Sequence, residues 1–395
     1  MSRGITLPEG ARFTCQSCGR CCQGWDVPVD AETAARLRAH DWGTEPFEPM
    51  GSTGQFRIRQ VDGRCYFLRP DNHCRIHVEL SYDAKPPVCR GFPLSVLEVE
   101  GRQFARLSYW CPTVVANTGK PLEQQGRWVR DTARHADVRT AALRLEPGVE
   151  ISGGDFDRLH HALREVVHDG AHPIGDRVAA LAGLVRRLAS SPGLPVEAAV
   201  QQARRDGIGR LAADARRGGA PAAGRRAISL YLLHDRPRGR MAGIRRFAEV
   251  ALFTAGLARL RTRAVPACAS RRMARRVTFQ PSRVAGDLLA RYLASKIDSR
   301  RYVAGEATVV GGINLLLVAY GLISELSRLR AATDRRTECS DEDVTLAVQA
   351  ADLLVVEHSD LRQGAVQRRL VDGVLERPDL GADVLAFVHP AGRPS

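Results

Sequence analysis

Lysine is almost missing from this chain of 395 residues: it occurs only at positions 85, 120 and 296, although lysine and arginine together number 58. The net charge of +14 is thus carried by arginine, and most of it lies beyond residue 115. A solvated, Arg-rich helical surface accounts for that excess, with an acidic partner or nucleic acid as the alternative. Aromatic residues make up only 6%, and a single-stranded nucleic-acid surface needs rings interleaved with its cations, so nucleic acid is not expected. Long apolar runs are absent as well. The best candidate, Ile313 to Ile323, is eleven residues with Asn314 and Gly321 inside it, against the ~20 that a membrane helix needs, and it reads as a buried helix of a soluble protein. No GxGxxG follows a strand pattern, and there is no P-loop and no GxSxG. A Rossmann methyltransferase, a nucleotide hydrolase and an α/β-hydrolase therefore lack support.

Cysteine is scarce in one part and dense in the other. Only Cys268 and Cys339 follow residue 111, whereas Cys15, Cys18, Cys21, Cys22, Cys65, Cys74, Cys89 and Cys111 precede it, the first four within eight residues. Thiolates so close together repel one another unless a cation holds them. Disulfides are the alternative, but the start Met1-Ser2-Arg3-Gly4-Ile5 is followed by no apolar signal core, so a reducing cytoplasm and a metal are expected. All eight are candidate ligands. Structural zinc usually shows two short-spaced pairs, whereas here C-x2-C-x2-C-C is joined by four single cysteines. A triplet with x2 gaps and a remote Cys111-Pro112 is nearer to the ligation of a 4Fe-4S cluster, with Cys65, Cys74 or Cys89 as equal candidates for the fourth ligand. Thiolate softness admits zinc too. Adjacent side chains point different ways, so one of Cys21 and Cys22 is expected to serve elsewhere. His73 and His77 flank Cys74 but read as exposed loop residues.

Along the chain, Asp30 is placed to cap a helix over Ala31 to His40. Gln55 to Val61 alternates and turns at Asp62-Gly63 into Cys65 to Leu68, a hairpin that delivers Cys65. A second hairpin, Leu94 to Val99 and Gln103 to Tyr109 across Glu100-Gly101, ends at Cys111, and Cys74 and Cys89 are expected in loops. After a linker at Asn117 to Pro121 the pattern is helical: Phe156 to Val167, Arg177 to Leu188, Ile228 to Leu233, Phe247 to Leu260, Val284 to Ile297 and Asp343 to Val356. The expected fold is α+β, a small cysteine-cluster domain at 1–118 with short hairpins, followed by a larger all-α domain at 119–395. Glu357-His358 reads as a surface pair, and Tyr320 as core.

The residues Cys15-x2-Cys18-x2-Cys21-Cys22, Cys65 with Phe67-Leu68, Cys74, and Lys85-Pro86-Pro87-Val88-Cys89-Arg90-Gly91-Phe92-Pro93 resemble the CxxCxxCC, YkgJ-type family of zinc- or iron-chelating domains. Cys21 to Asp30, Leu107 to Pro112, Arg291 to Leu293, Leu315 to Ile323 and Val355 to His358 are similar to flagellin lysine-N-methylases. That resemblance implies an iron-sulfur protein that uses S-adenosylmethionine to methylate lysines of a protein substrate. The competing expectation is a metal-binding scaffold or metal carrier whose helical part binds a protein partner.

Overall fold

A computed structural model of the chain describes residues 4–23, 27–50, 54–189, 195–233, 240–262, 265–357 and 371–389. Gly24, Trp25, Asp26 and His358, named above, lie outside these. Two compact units are present, Met1–Glu98 with Arg102–Asp137, and Val99–Gly101 with Val138–Ser395. The first runs past residue 118 because Lys120–Pro121 pairs antiparallel with Arg12–Phe13, and Trp128, in the helix Gly126–Ala133, stacks on Phe13 at 5.3 Å.

In the first unit Asp30 caps the helix Ala31–Arg38, its Oδ1 accepting the Thr33 N–H at 2.7 Å, which supplies one of the helix's unmade hydrogen bonds. The apolar side of that helix lies in a core with Val27, Trp42, Phe47, Ile58 and Phe67. The strand expected over Gln55 to Val61 is broken at Arg59. Gln55–Ile58 lies between Pro28–Val29 and Phe47–Met50, whereas Gln60–Val61 pairs with Arg64–Cys65. The cause is local: the Arg59 N–H bonds to the Pro46 carbonyl on one side, and its own carbonyl accepts the Tyr66 N–H on the other. The turn itself follows its sequence, since Asp62 and Gly63 both have positive φ, 50° and 76°, as a two-residue hairpin turn requires. The second hairpin, Leu94–Val99 with Arg102–Leu107, turns at Glu100 and Gly101 in the same way, with φ 50° and 69°.

The second unit is organised on Val309–Thr333, a helix of 25 residues and more than twice the length expected from Ile313 to Ile323. It is long and apolar enough to cross a bilayer, yet 94% of its most apolar window is buried inside the protein. Its first turn is capped by Thr308, whose hydroxyl accepts the Gly311 N–H at 2.9 Å and donates to Glu376. Gly312 is required by a close approach, since a Cβ there would stand 1.6 Å from the Tyr302 carbonyl oxygen. The expected helices occur as Gly153–His168, Ile174–Ala189, Pro221–Leu232, Arg240–Ala255, Arg283–Asp298 and Asp341–Ala351. The fourth stops early at Gly256 (φ 83°), and Leu260 enters a hairpin of Arg259–Thr262 and Ala267–Ser270 instead. A second hairpin joins Arg144–Glu146 to Val149–Glu150, so the helical region carries some strand. Tyr320 is 1% exposed and meets Phe279 edge-on at 6.0 Å, as a core residue does.

Candidate metal centre

Five cysteines from four separate segments meet at one small cavity. It measures about 30 Å³ and is lined by Cys21, Cys22, Cys65, Cys74 and Cys89, with Lys85 and the apolar side chains of Val27, Ile58, Phe67, Ile76, Pro86 and Phe92. Cys22, Cys74 and Cys89 also pack on the hydrophobic core, in which Cys65 is buried. The thiols and the core of the first unit are therefore one body.

Each thiol is delivered by a short element. Cys21 and Cys22 sit on the 3-10 turn Arg20–Cys22, entered through Gly19 at φ 69°. A side chain at Gly19 would strike Asn72, its Cβ 2.9 Å from Oδ1. The Trp110 indole N–H donates to the Arg20 carbonyl at 3.1 Å, and the Arg20 guanidinium lies 4.0 Å from the centre of the same ring. Cys65 ends the strand Arg64–Cys65, and Cys74 immediately precedes the short helix Arg75–Glu79, its backbone bridging to Leu68. Cys89 lies inside the helix Pro87–Gly91 and not in a loop, because Pro86-Pro87 starts a turn in which the Cys89 N–H reaches the Pro86 carbonyl at 2.9 Å. The Arg90 carbonyl accepts from Trp128 Nε1 at 3.0 Å and from the Tyr82 hydroxyl at 2.8 Å, which braces that helix.

Cys21 and Cys22 do not diverge as their adjacency suggested. Both line the cavity, their Sγ atoms 3.9 Å apart. That spacing matches the roughly 3.8 Å edge of a tetrahedron of sulfurs at about 2.3 Å from one ion. Among the described residues no three Cys, His, Asp or Glu side chains stand at coordinating separation, so ligation takes χ1 rotations of the other cysteines. The donor set consists of thiols without carboxylate or imidazole, which suits thiophilic zinc or iron and not magnesium or calcium. The cavity has room for one or two water-sized bodies, hence for a single ion more readily than for a cubane.

The electrostatics agree with a site that waits for a cation. For Cys22 the hydrogen bond with Cys21 pulls the pKa down, but the bond to Cys65 and burial outweigh it and push it up to about 12. Cys21 is raised by its bond to Cys22 and by burial, and Cys89 by burial, which Lys85 partly relieves. Lys85 itself is raised: burial opposes its charge, but the field of Cys89, Cys74, Tyr82 and Cys21 prevails. Protons are thus held on these thiols, and any metal bound by them has to displace those protons.

The other three predicted ligands stand apart from this cavity's lining. Cys15 and Cys18 are exposed, with the Ser17 N–H directed at the Cys15 sulfur at 3.4 Å. Cys111 is buried at the start of the helix Pro112–Ala116 and is raised to about 11 by burial, against the Val114 and Thr113 N–H groups that favour its thiolate. Cys18 and Cys111 feel each other electrostatically. His73 and His77 are exposed, the first paired with Asp71 and the second meeting Tyr82 edge-on at 5.5 Å. Lys85 escaped the sequence reading as a site residue, although one of only three lysines lying four positions before a cysteine was a usable signal. Trp110, Trp128 and Asn72 carry no comparable mark.

Residues 14–112 match a protein-family profile, CxxCxxCC, described as "Putative zinc- or iron-chelating domain". The matched range contains all eight of the N-terminal cysteines, Cys15 to Cys111. Over 107 residues the chain is 29% identical to an uncharacterized protein of Methanocaldococcus jannaschii, MJ0939, a match covering 26% of this chain and 37% of the relative's length. No solved structure matches the chain.

Proposed function

We propose that the first unit binds one thiolate-ligated metal ion, zinc or iron, in the cavity of Cys21, Cys22, Cys65, Cys74 and Cys89, with Lys85 as the counter-charge. The observation that carries this reading is the convergence of five thiols from four segments on one space of about 30 Å³. Four thiolates around a divalent ion carry a net charge of about −2, and a partly buried ammonium beside them offsets part of it. A 4Fe-4S cluster, favoured by the spacing of the first cysteines, needs wider sulfur separations than the 3.9 Å between Cys21 and Cys22. X-ray absorption at the metal edge of anaerobically purified protein tests this. One metal per chain with sulfur neighbours at about 2.3 Å supports it, whereas iron near four per chain with equal sulfide overturns it.

For the whole chain, the similarity of Leu107 to Pro112 and the helical segments to flagellin methylases supports a second reading, S-adenosylmethionine-dependent methylation of a protein lysine. Isothermal titration of the metal-replete protein with S-adenosylmethionine is the test. Binding favours methyl transfer, and its absence at millimolar cofactor leaves a metal-binding scaffold.

A further inference from the structure

The helix Arg240–Ala255 is apolar on two sides, of which the second unit covers one. Arg246, Val250 and Phe253 face inward and are buried. Ile244, Phe247, Ala248, Ala251, Leu252 and Ala255 are exposed, and their three- and four-residue spacing sets them in one stripe along the outer side. The stripe continues past the end of the helix. Gly256, at φ 83°, donates its N–H to the Phe253 carbonyl, and Leu257 donates to the Leu252 carbonyl, both at 2.8 Å, a capping arrangement that commonly sets the two leucine side chains together. Ile244 is 60% exposed, Phe247 65%, Leu252 46% and Leu257 77%. Side chains standing so far out of the fold make a ridge on a convex surface and not a groove. Keeping such a ridge in water is unfavourable, and a contiguous exposed apolar patch marks a surface that meets something else.

Charge says what that is. Residues 240–276 hold ten arginines and a single acidic residue, Glu249, so this short stretch carries nine of the fourteen surplus positive charges. Contacts fasten it to the helix: Arg246 Nη1 donates to the Arg261 carbonyl at 2.6 Å, and Arg271 Nη1 donates to the Thr254 carbonyl at 2.8 Å. The strand Arg259–Thr262 and the turn Arg271–Ala274 therefore both abut it. In the strand Leu260 and Thr262 are buried and Arg259 and Arg261 face out, and on and after the turn Arg272, Arg275 and Arg276 are exposed. These five form no ion pair among the described residues, whereas Arg245, beside the stripe, pairs with Glu249 at 3.4 Å. A second copy of this chain would set like charge against like. A protein groove would have to match the ridge side chain by side chain. A lipid bilayer takes it as it stands, since bulky side chains enter the acyl boundary while long arginine stems keep their heads among anionic headgroups.

We propose that the outer side of the helix Arg240–Ala255, with Leu257 at its end and the exposed arginines of the adjoining strand and turn, docks this protein peripherally on an anionic membrane surface. The surface belongs wholly to the second unit and does not depend on the metal centre. The test is co-sedimentation of the full chain with vesicles of phosphatidylcholine alone and of an equimolar mixture with phosphatidylglycerol, at low and raised salt. The expected result is partition into the anionic vesicles at least tenfold stronger than into the neutral ones, weakening as salt rises. Both Phe247→Ser/Leu257→Ser and Arg259→Gln/Arg261→Gln should lose tenfold or more of it. Both variants should melt like the parent, since every side chain they replace is exposed. In Phe247→Trp the emission should move to the blue on anionic vesicles and be quenched by brominated acyl chains, as a ring inside the acyl boundary requires. No sedimentation with anionic vesicles overturns the proposal and leaves the ridge to an acidic protein partner. Sedimentation unchanged in Phe247→Ser/Leu257→Ser overturns it as well, since charge alone would then account for the binding.

Discussion

The two units of this chain are stabilised in different ways. In the second, a helix of 25 residues is surrounded by side chains that exclude water, and hydrocarbon burial is the main favourable term. In the first, the core is smaller, and Cys22, Cys65, Cys74 and Cys89 belong to it or pack on it. Part of that core is thus a set of thiols whose best partner is a metal ion. Where a hydrophobic core is too small to suffice, binding energy does part of the work of folding.

The largest expected effect is that of metal removal. Stripping the ion with a chelator under reducing conditions should cost the first unit on the order of 10 kcal/mol, abolishing its calorimetric transition while the second unit's transition stays. A single unchanged transition would erase the distinction between the units. Next comes Lys296→Met. Lys296 Nζ lies 2.7 Å from Asp352 Oδ1 with both side chains fully buried, and breaking that buried pair should destabilise the second unit by ~3–5 kcal/mol without changing metal content. Denaturant melts read by hydrogen exchange in each unit separate the two responses.

A smaller effect is expected from pH on the metal-free protein. Cys22 and Cys111 are held up at about 12 and about 11 in the folded unit, whereas an unfolded cysteine titrates near 8.5. Between these values the folded unit keeps protons that the unfolded chain has lost. The stabilisation is therefore complete below about pH 8.5 and falls as pH rises, by at most ~1.4 kcal/mol per pH unit for each such thiol. Melting the apo protein at pH 8.0 and 9.5 checks the sign, and bound metal should flatten the dependence. Last, Lys85→Gln should weaken metal binding about tenfold, or ~1.4 kcal/mol, by removing the cation beside Cys89. Competition with a chromophoric chelator measures it, and unchanged affinity would leave Lys85 a packing residue.

The α+β class, the Asp30 cap and both two-residue turns were legible because each depends on neighbours in sequence. The grouping of cysteines was not. Spacing tied Cys15, Cys18 and Cys21 together, yet Cys22, Cys65, Cys74 and Cys89 share the cavity with Cys21. What selects them is the turn at Gly19, set against Asn72 and held by Trp110 from 90 positions away, contacts that no local pattern encodes. The break at Arg59 is of the same kind, since Pro46 and Tyr66 each claim one of its backbone groups. The long helix was under-read because Ser324, Glu325, Ser327 and Arg328 look like an exposed end, whereas all four are buried.

The measurement that bears most directly on the account is metal content, by mass spectrometry on anaerobically purified full-length protein, across a serine series. The account predicts that Cys22→Ser and Cys89→Ser lose most of the bound metal, while the double variant Cys15→Ser/Cys18→Ser keeps the parent's stoichiometry. Loss of metal in the double variant with retention in Cys22→Ser and Cys89→Ser would place the ion on the N-terminal triplet and contradict it.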